Sequence, residues 1–244
     1  MTIVIPMLGN SKRFFLQGYE VPKYMLPLGV GTVFSESIKS FERFFESEEF
    51  IFVVREDHDA RDFVVSEANR VGIKFFSIVL HHGVTSGQAE SVYIGLSCCS
   101  DDSRLIVFNI DTIRLNFEMP TAVSFADGFL EVFEADGDSW SFVLPGKKNL
   151  VLRTAEKERI SNLCSNGLYG FGKVKFFKEA YEANRGISSR VNGELYVAPL
   201  YNYMIRNGKK ITYRKVRSSD ILNCGVPADY EVIKEVYKNQ LNGK

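Results

Sequence analysis

The sequence predicts an α/β fold, a Rossmann-like, mostly parallel mixed sheet with helices on both faces. Three observations predict it. Short apolar runs recur at residues 2–7, 50–55, 75–80 and 104–109, each of strand length. Stretches with apolar residues at helical spacing lie between them. Small polar turns, at residues 8–13 and 109–111, directly follow two of the runs. Repeated strand–helix–strand units give a largely parallel sheet covered on both sides, with ligands outside the carboxyl ends of its strands.

Taken in order, residues 2–7 form a strand and residues 33–46 a helix, with Phe34, Ile38, Phe41 and Phe45 near helical spacing. Residues 50–55 are a strand, 58–71 a helix and 75–80 a strand. Ser86-Gly87-Gln88 opens a helix whose Ala89, Val92, Tyr93 and Leu96 make an apolar stripe, and a strand follows from Arg104 to Asn109. The second half changes rhythm, with short strands at 128–134, 140–144, 150–156 and 167–172 between Asp, Gly and Pro turns. A helix at 173–184 comes next, then a helix from Pro199, whose missing N–H suits a first helical position. A strand at 211–216 and a helix at 229–240 close the chain. With no repeat, low-complexity segment or linker, the expectation is one domain over residues 1–244, divided into halves at ~1–115 and ~116–244.

Composition excludes several functions. The 30 basic and 30 acidic residues cancel, and no basic stripe offers nucleic acid a footprint. No apolar run approaches the ~20 residues a membrane span needs. The N-terminus passes straight into a strand, so no secretory leader is expected. Cys98, Cys99, Cys164 and Cys224 have neither metal-site nor disulfide spacing, which predicts free thiols in a reducing cytoplasm. Twenty phenylalanines supply a large core, and a homo-oligomer stays open.

The turn Leu8-Gly9-Asn10-Ser11 ends the first strand and delivers Arg13, and Lys23 follows Pro22 ten residues later. Small residues at such a strand end let backbone N–H groups approach phosphates. Arg13 brings a planar fork and Lys23 a point charge to the place where a polyphosphate would lie. Asp111, just past the strand that ends at Asn109, would turn a carboxylate toward the same place.

Leu8-Gly9-Asn10-Ser11-Lys12-Arg13 with Pro22-Lys23-Tyr24-Met25 resembles the A-G-x-G-[ST]-R and P-K-P-[ML] signatures of the sugar-phosphate nucleotidyltransferases, the glucose-1-phosphate thymidylyltransferase-like enzymes. Leu8, Ser11 and Tyr24 depart from the pattern, while Arg13 and Lys23 fall on its two cationic positions. The resemblance continues in order over residues 2–231. It implies a fold of the nucleotide-diphospho-sugar transferase type, with a nucleotide-binding first half and an acceptor-binding second half. Leu8, Gly9, Asn10, Ser11, Gln88 and Asn109 would bind the nucleotide, and an amide such as Gln88 both donates and accepts, as reading a base edge requires. Glu156-Lys157 with Asn166-Gly167, and then Glu194, resemble the acceptor segments, where the Glu residues meet sugar hydroxyls and the Lys meets the sugar phosphate. Arg13, Lys23 and Asp111 would be catalytic. Asp111 would hold Mg²⁺ with a second ligand from Asn223, which keeps a carbonyl oxygen but lacks charge, or from Asp220.

The resemblance therefore implies a nucleoside triphosphate joined to a sugar phosphate or similar phosphorylated metabolite with release of pyrophosphate, in the service of surface polysaccharide synthesis. Two rivals remain at this level. A metal-dependent glycosyltransferase usually carries an Asp-x-Asp pair, and Asp111-Thr112-Ile113 lacks its second Asp. A non-catalytic nucleotide-sugar-binding module would suit Asn223. A dehydrogenase is disfavoured, because no G-x-G-x-x-G opens the first helix.

Overall fold

Alternation within the first strand, β1 (Thr2–Met7), organises the molecule: Ile3, Ile5 and Met7 enter one core and Val4 the opposite one. A computed structural model of the chain describes residues 1–119, 121, 126–186 and 190–242. After β1 come the short helix α1 (Lys12–Phe15), a two-strand ribbon of β2 (Pro27–Leu28) and β3 (Gly31–Thr32), and α2 (Val33–Ile38). Then β4 (Glu49–Arg55), α3 (Ala60–Val71), β5 (Phe75–His81), α4 (Gln88–Gly95) and β6 (Leu105–Phe108) complete a parallel unit in the order β6-β1-β4-β5.

The chain then makes β7 (Thr112–Arg114), β8 (Gly128–Glu134), β9 (Ser141–Pro145), β10 (Val151–Glu156) and β11 (Leu163–Phe171). The helices α5 (Val174–Asn184) and α6 (Leu200–Arg206), strands β12 (Ile211–Lys215) and β13 (Ile221–Asn223), and helix α7 (Pro227–Asn242) follow. The strand β11 runs antiparallel to β6, with Leu168 opposite Phe108, and so joins the second half to the first. It also pairs with β8, whose other neighbour is the parallel β12. Among the described residues nine strands thus share one mixed sheet, and β7 pairs apart from it with β13.

Each face of the sheet has its own core. On one side α4, α5 and α6 pack Ala89, Val92, Phe177 and Tyr201 over Val4, Val53 and Val107. On the other, Phe34, Ile38, Val64 and Ala68 of α2 and α3 cover Ile5, Phe52 and Phe108. Burial of such apolar area is the main term holding the layers together. The α7 helix closes a smaller cluster through Tyr230 and Ile233 against Phe14 and Ile113. Among the described residues no helix is long and apolar enough to cross a membrane.

The helix expected over 33–46 is broken. A capping box of Thr32 and Ser35 starts α2 well, yet the α-helix ends at Ile38 and a 3-10 turn follows. Phe41 leaves helical geometry at φ −111°, ψ 17°, with its ring fully buried against Phe50, Phe108 and Phe117. Packing of one aromatic ring has overridden local helical preference.

Candidate functional site

The carboxyl ends of β1 and β6 bring the turn at residues 8–13 and Asp111 together. Ser11 adopts a left-handed conformation at φ 49°, and its hydroxyl accepts the Lys23 N–H at 3.1 Å, tying the two cationic segments to each other. Gly9 and Asn10 are exposed, and a Cβ on Gly9 would meet nothing within 4 Å, so space is open above the turn. Asn10 Oδ1 accepts the Lys12 N–H at 3.2 Å, closing the turn that leads into α1. The Leu8 side chain does not face this space. It is buried in the core with Val4 and Ala89, which leaves only its backbone for a ligand. Arg13 is exposed and has no side-chain partner among the described residues.

Lys23 Nζ lies 2.5 Å from Asp111 Oδ2, both groups being mostly buried. The pairing of β13 with β7 sets Asn223 opposite Thr112, and Cys224 N–H donates to the Asp111 carbonyl at 2.7 Å. A Cβ on Gly225 would stand 3.0 Å from Asn223 Oδ1 and 3.2 Å from Asp111 Oδ2, so the glycine keeps a gap between two oxygen donors. Asp220 is elsewhere. It sits at the far end of the same ribbon, where its carbonyl accepts the Leu115 N–H and its carboxylate is bound by Arg217, which holds that carboxyl below its usual range. The ladder separates Asp220 from Asp111 by several residues of strand, so the two carboxylates do not converge.

Gln88 donates its amide to Asn109 Oδ1 at the N-terminus of α4. Gly167 makes room for that pair: at φ +86° it lies directly beneath Asn109, and a Cβ there would reach within 2.5 Å of Asn109 Cγ. Gly87 has a related purpose. Its φ of 133° suits glycine alone, and a Cβ would come within 2.5 Å of the Leu195 backbone. Leu195 N–H donates to Ser86 and Leu195 C=O accepts from Ala89, so the second half is stitched to the start of α4.

The residues expected on the acceptor side separate into two groups. Asn166 is buried, donates to Glu131 at 2.9 Å and accepts from the Leu168 N–H, so its side chain serves the core rather than a ligand. Glu131 in turn pairs with buried Arg114 at 2.7 Å. Glu156, Lys157 and Glu194 do converge. Glu156 is buried, accepts from the Ser141 hydroxyl, and burial pushes its carboxyl above the usual range. Lys157 Nζ donates to the Tyr196 hydroxyl at 2.5 Å, and that hydroxyl donates to Glu194. The register from β6 through β11 and β9 to β10 puts Glu156 and Lys157 at the same end of the sheet as Asp111.

Four features escaped sequence reasoning: the Lys23–Asp111 pair, Ser141, Tyr196 and the buried Arg114–Glu131–Asn166 network. Only the last left a trace, as charged residues inside otherwise apolar strands. Among the described residues no three His, Cys, Asp or Glu side chains cluster as a metal cage, so a bound ion would need oxygens from its ligand as well.

No protein-family model matches the chain, and no curated protein does. Among solved structures it is similar to the nucleoside-diphosphate-sugar pyrophosphorylase from Vibrio cholerae RC9, at 43% identity over 96% of this chain and 99% of that one, with a TM-score of 0.90. Two more distant structures share the fold. One is the inositol-1-phosphate CTP transferase from T. maritima, at 18% identity over 97% of this chain and 94% of that one, TM-score 0.74. The other is a UDP-glucose pyrophosphorylase complexed with UDP-glucose, at 15% identity over 98% of each chain, TM-score 0.77.

Proposed function

The chain belongs to the nucleoside-diphosphate-sugar pyrophosphorylase family, and from that premise we propose that it transfers a nucleotidyl group from a nucleoside triphosphate to a sugar phosphate or a similar phosphorylated metabolite. The observation that carries the reading is the strand register that sets the Ser11 turn, Lys23 and Asp111 at the same end of a single sheet as Glu156, Lys157 and Glu194.

In this reading an oxygen of the acceptor phosphate attacks the α-phosphorus in line. The bond from that phosphorus to its bridging oxygen breaks, and pyrophosphate leaves on the opposite side. No covalent enzyme intermediate is needed, so the protein contributes position and charge. Arg13, exposed and uncommitted, takes the leaving pyrophosphate, and Lys23 turns from Asp111 toward the phosphates. Lys157 takes the acceptor phosphate, while Glu156 and Glu194 accept hydrogen bonds from its hydroxyls. Gln88 and Asn109 face the nucleobase.

The donor set fits a hard divalent ion. Asp111 and Asn223 supply oxygens around the gap that Gly225 leaves, and these two would hold Mg²⁺. When bound, the ion would neutralise phosphate charge. Supply of surface-polysaccharide precursors, which the family's motifs suggest, and a cytoplasmic location, which four free cysteines favour, form part of the same proposal.

The test is pyrophosphate release from a panel of triphosphates with Mg²⁺, scanned against sugar 1-phosphates and simpler phosphorylated metabolites. Release that requires both substrates supports the reading. Transfer of a sugar from a nucleotide sugar would instead identify a glycosyltransferase, and nucleotide-sugar binding without turnover would identify a binding module.

A further inference from the structure

Tyr196 lies in the stretch between Gly193 and the start of α6, half-buried, and touches more of the acceptor cluster than any residue the motifs mark. Its hydroxyl accepts from Lys157 Nζ at 2.5 Å and donates to Glu194 Oε2 at 2.5 Å. The Lys157 ammonium also lies 4.6 Å from the centre of the Tyr196 ring. Burial and then Glu194 push the phenol above its ordinary range, so it stays a neutral hydroxyl able to donate to Glu194.

Lys157 is held from both ends. Its backbone adopts a left-handed φ of 54°, unusual for a residue with a side chain, and its N–H donates to Trp140 O at 2.9 Å. Without Tyr196, the four-carbon stem of an exposed lysine would sample many rotamers. The backbone of Leu195, next to Tyr196, is fixed against Gly87, so the tyrosine itself stands on a rigid support.

We propose that Tyr196 is the positioning residue of the acceptor site, holding the Lys157 ammonium where the acceptor's phosphate must arrive and making a phosphorylated acceptor the preferred ligand. The proposal rests on the nucleotidyl-transfer reading. On binding, the phosphate oxygens take the remaining N–H groups of Lys157 while the phenolic oxygen keeps its own. No bond is made or broken by Tyr196; it lowers the conformational entropy that Lys157 loses when it grips the phosphate.

Tyr196→Phe keeps the ring and removes only the hydroxyl. The expected result is a KM for the acceptor raised by up to about tenfold, the scale of ordering one long flexible side chain. The KM for the triphosphate and kcat at saturating acceptor should stay within about threefold of wild type. A fall in kcat with an unchanged acceptor KM overturns the proposal.

A second measurement does not depend on turnover. The Lys157 ammonium is followed by nitrogen-15 NMR, its signal identified by its loss in Lys157→Arg. It should be sharp and slow to exchange in wild type and broadened in Tyr196→Phe. An identical signal in both proteins overturns the proposal. If wild type releases no pyrophosphate with any substrate pair, the transfer reading fails, and the lysine signal still decides whether Tyr196 holds Lys157.

Discussion

Arg13 is the residue whose removal separates chemistry from stability most cleanly. Its guanidinium is exposed and bonded to no side chain among the described residues, so folding owes it little. Arg13→Ala should leave the melting temperature unchanged, as surface substitutions usually stay within about 0.5 kcal/mol. Turnover should fall by about 10²–10³, the scale for losing one preorganised donor to developing charge. Retained turnover would remove Arg13 from the mechanism. Glu156 presents the reverse case. Burial raises its carboxyl, so the folded protein holds the proton at pH values where the unfolded chain has released it. The associated stability is fully present below the ordinary carboxylate range and is lost as pH rises through the raised value. Glu156→Gln keeps the shape and the Ser141 contact without titrating. It should therefore be more stable than wild type at neutral pH, by a few °C in Tm, with a gap that closes toward about pH 4. Its acceptor KM should rise, since a neutral amide is a weaker partner for hydroxyls. Melting curves across pH decide it; a variant less stable at neutrality would mean that the Glu156 charge is well accommodated.

At the scale of elements, the seam between α4 and the Leu195 segment joins the proposed nucleotide side to the proposed acceptor side. Gly87→Ala would force a Cβ into the Leu195 backbone at 2.5 Å from a conformation that suits only glycine. A loss of about 2–4 kcal/mol is expected from strain and overpacking together. Chemical denaturation measures it, and KM values for both substrates should rise together because the seam serves both. The central strands were legible because β1, β4 and β6 carry runs of Ile, Val and Phe that few other elements would. The β7–β13 ribbon was not, since three residues a side show no period, and its register rather than its sequence brings Asn223 to Asp111. The same holds for the site. Motif order alone marked Lys23, Asp111, Glu156 and Glu194, which the fold brings to one end of the sheet, whereas Tyr196 sits in an irregular segment whose contacts only the folded chain creates. Asn166 misled for a related reason: sequence shows an amide but not the buried Glu131 that claims it.

Across the whole molecule the question is whether the two halves unfold as one body. Strand β11 of the second half lies hydrogen-bonded between β6 and β8, so neither half keeps a finished sheet without the other. Arg114 adds a second tie. It extends from the ribbon that carries the proposed metal ligands into the core, pairs with Glu131 on β8, and through it reaches Asn166 on β11. Arg114→Met would leave Glu131 buried without its cation, at a cost of about 3–5 kcal/mol, a large share of the stability of an ordinary domain. If the halves form one cooperative unit, that loss must appear everywhere at once. Trp140 is the single tryptophan and stands in the second half beside Phe133, so its fluorescence reports that half alone. Far-UV circular dichroism reports both halves. In wild type and in Arg114→Met the two signals should share one denaturant midpoint, lower in the variant, with an unchanged slope. Separate midpoints would show that the halves unfold independently. The single site would then be a cleft between two domains, and its geometry would depend on how they dock rather than on one continuous sheet.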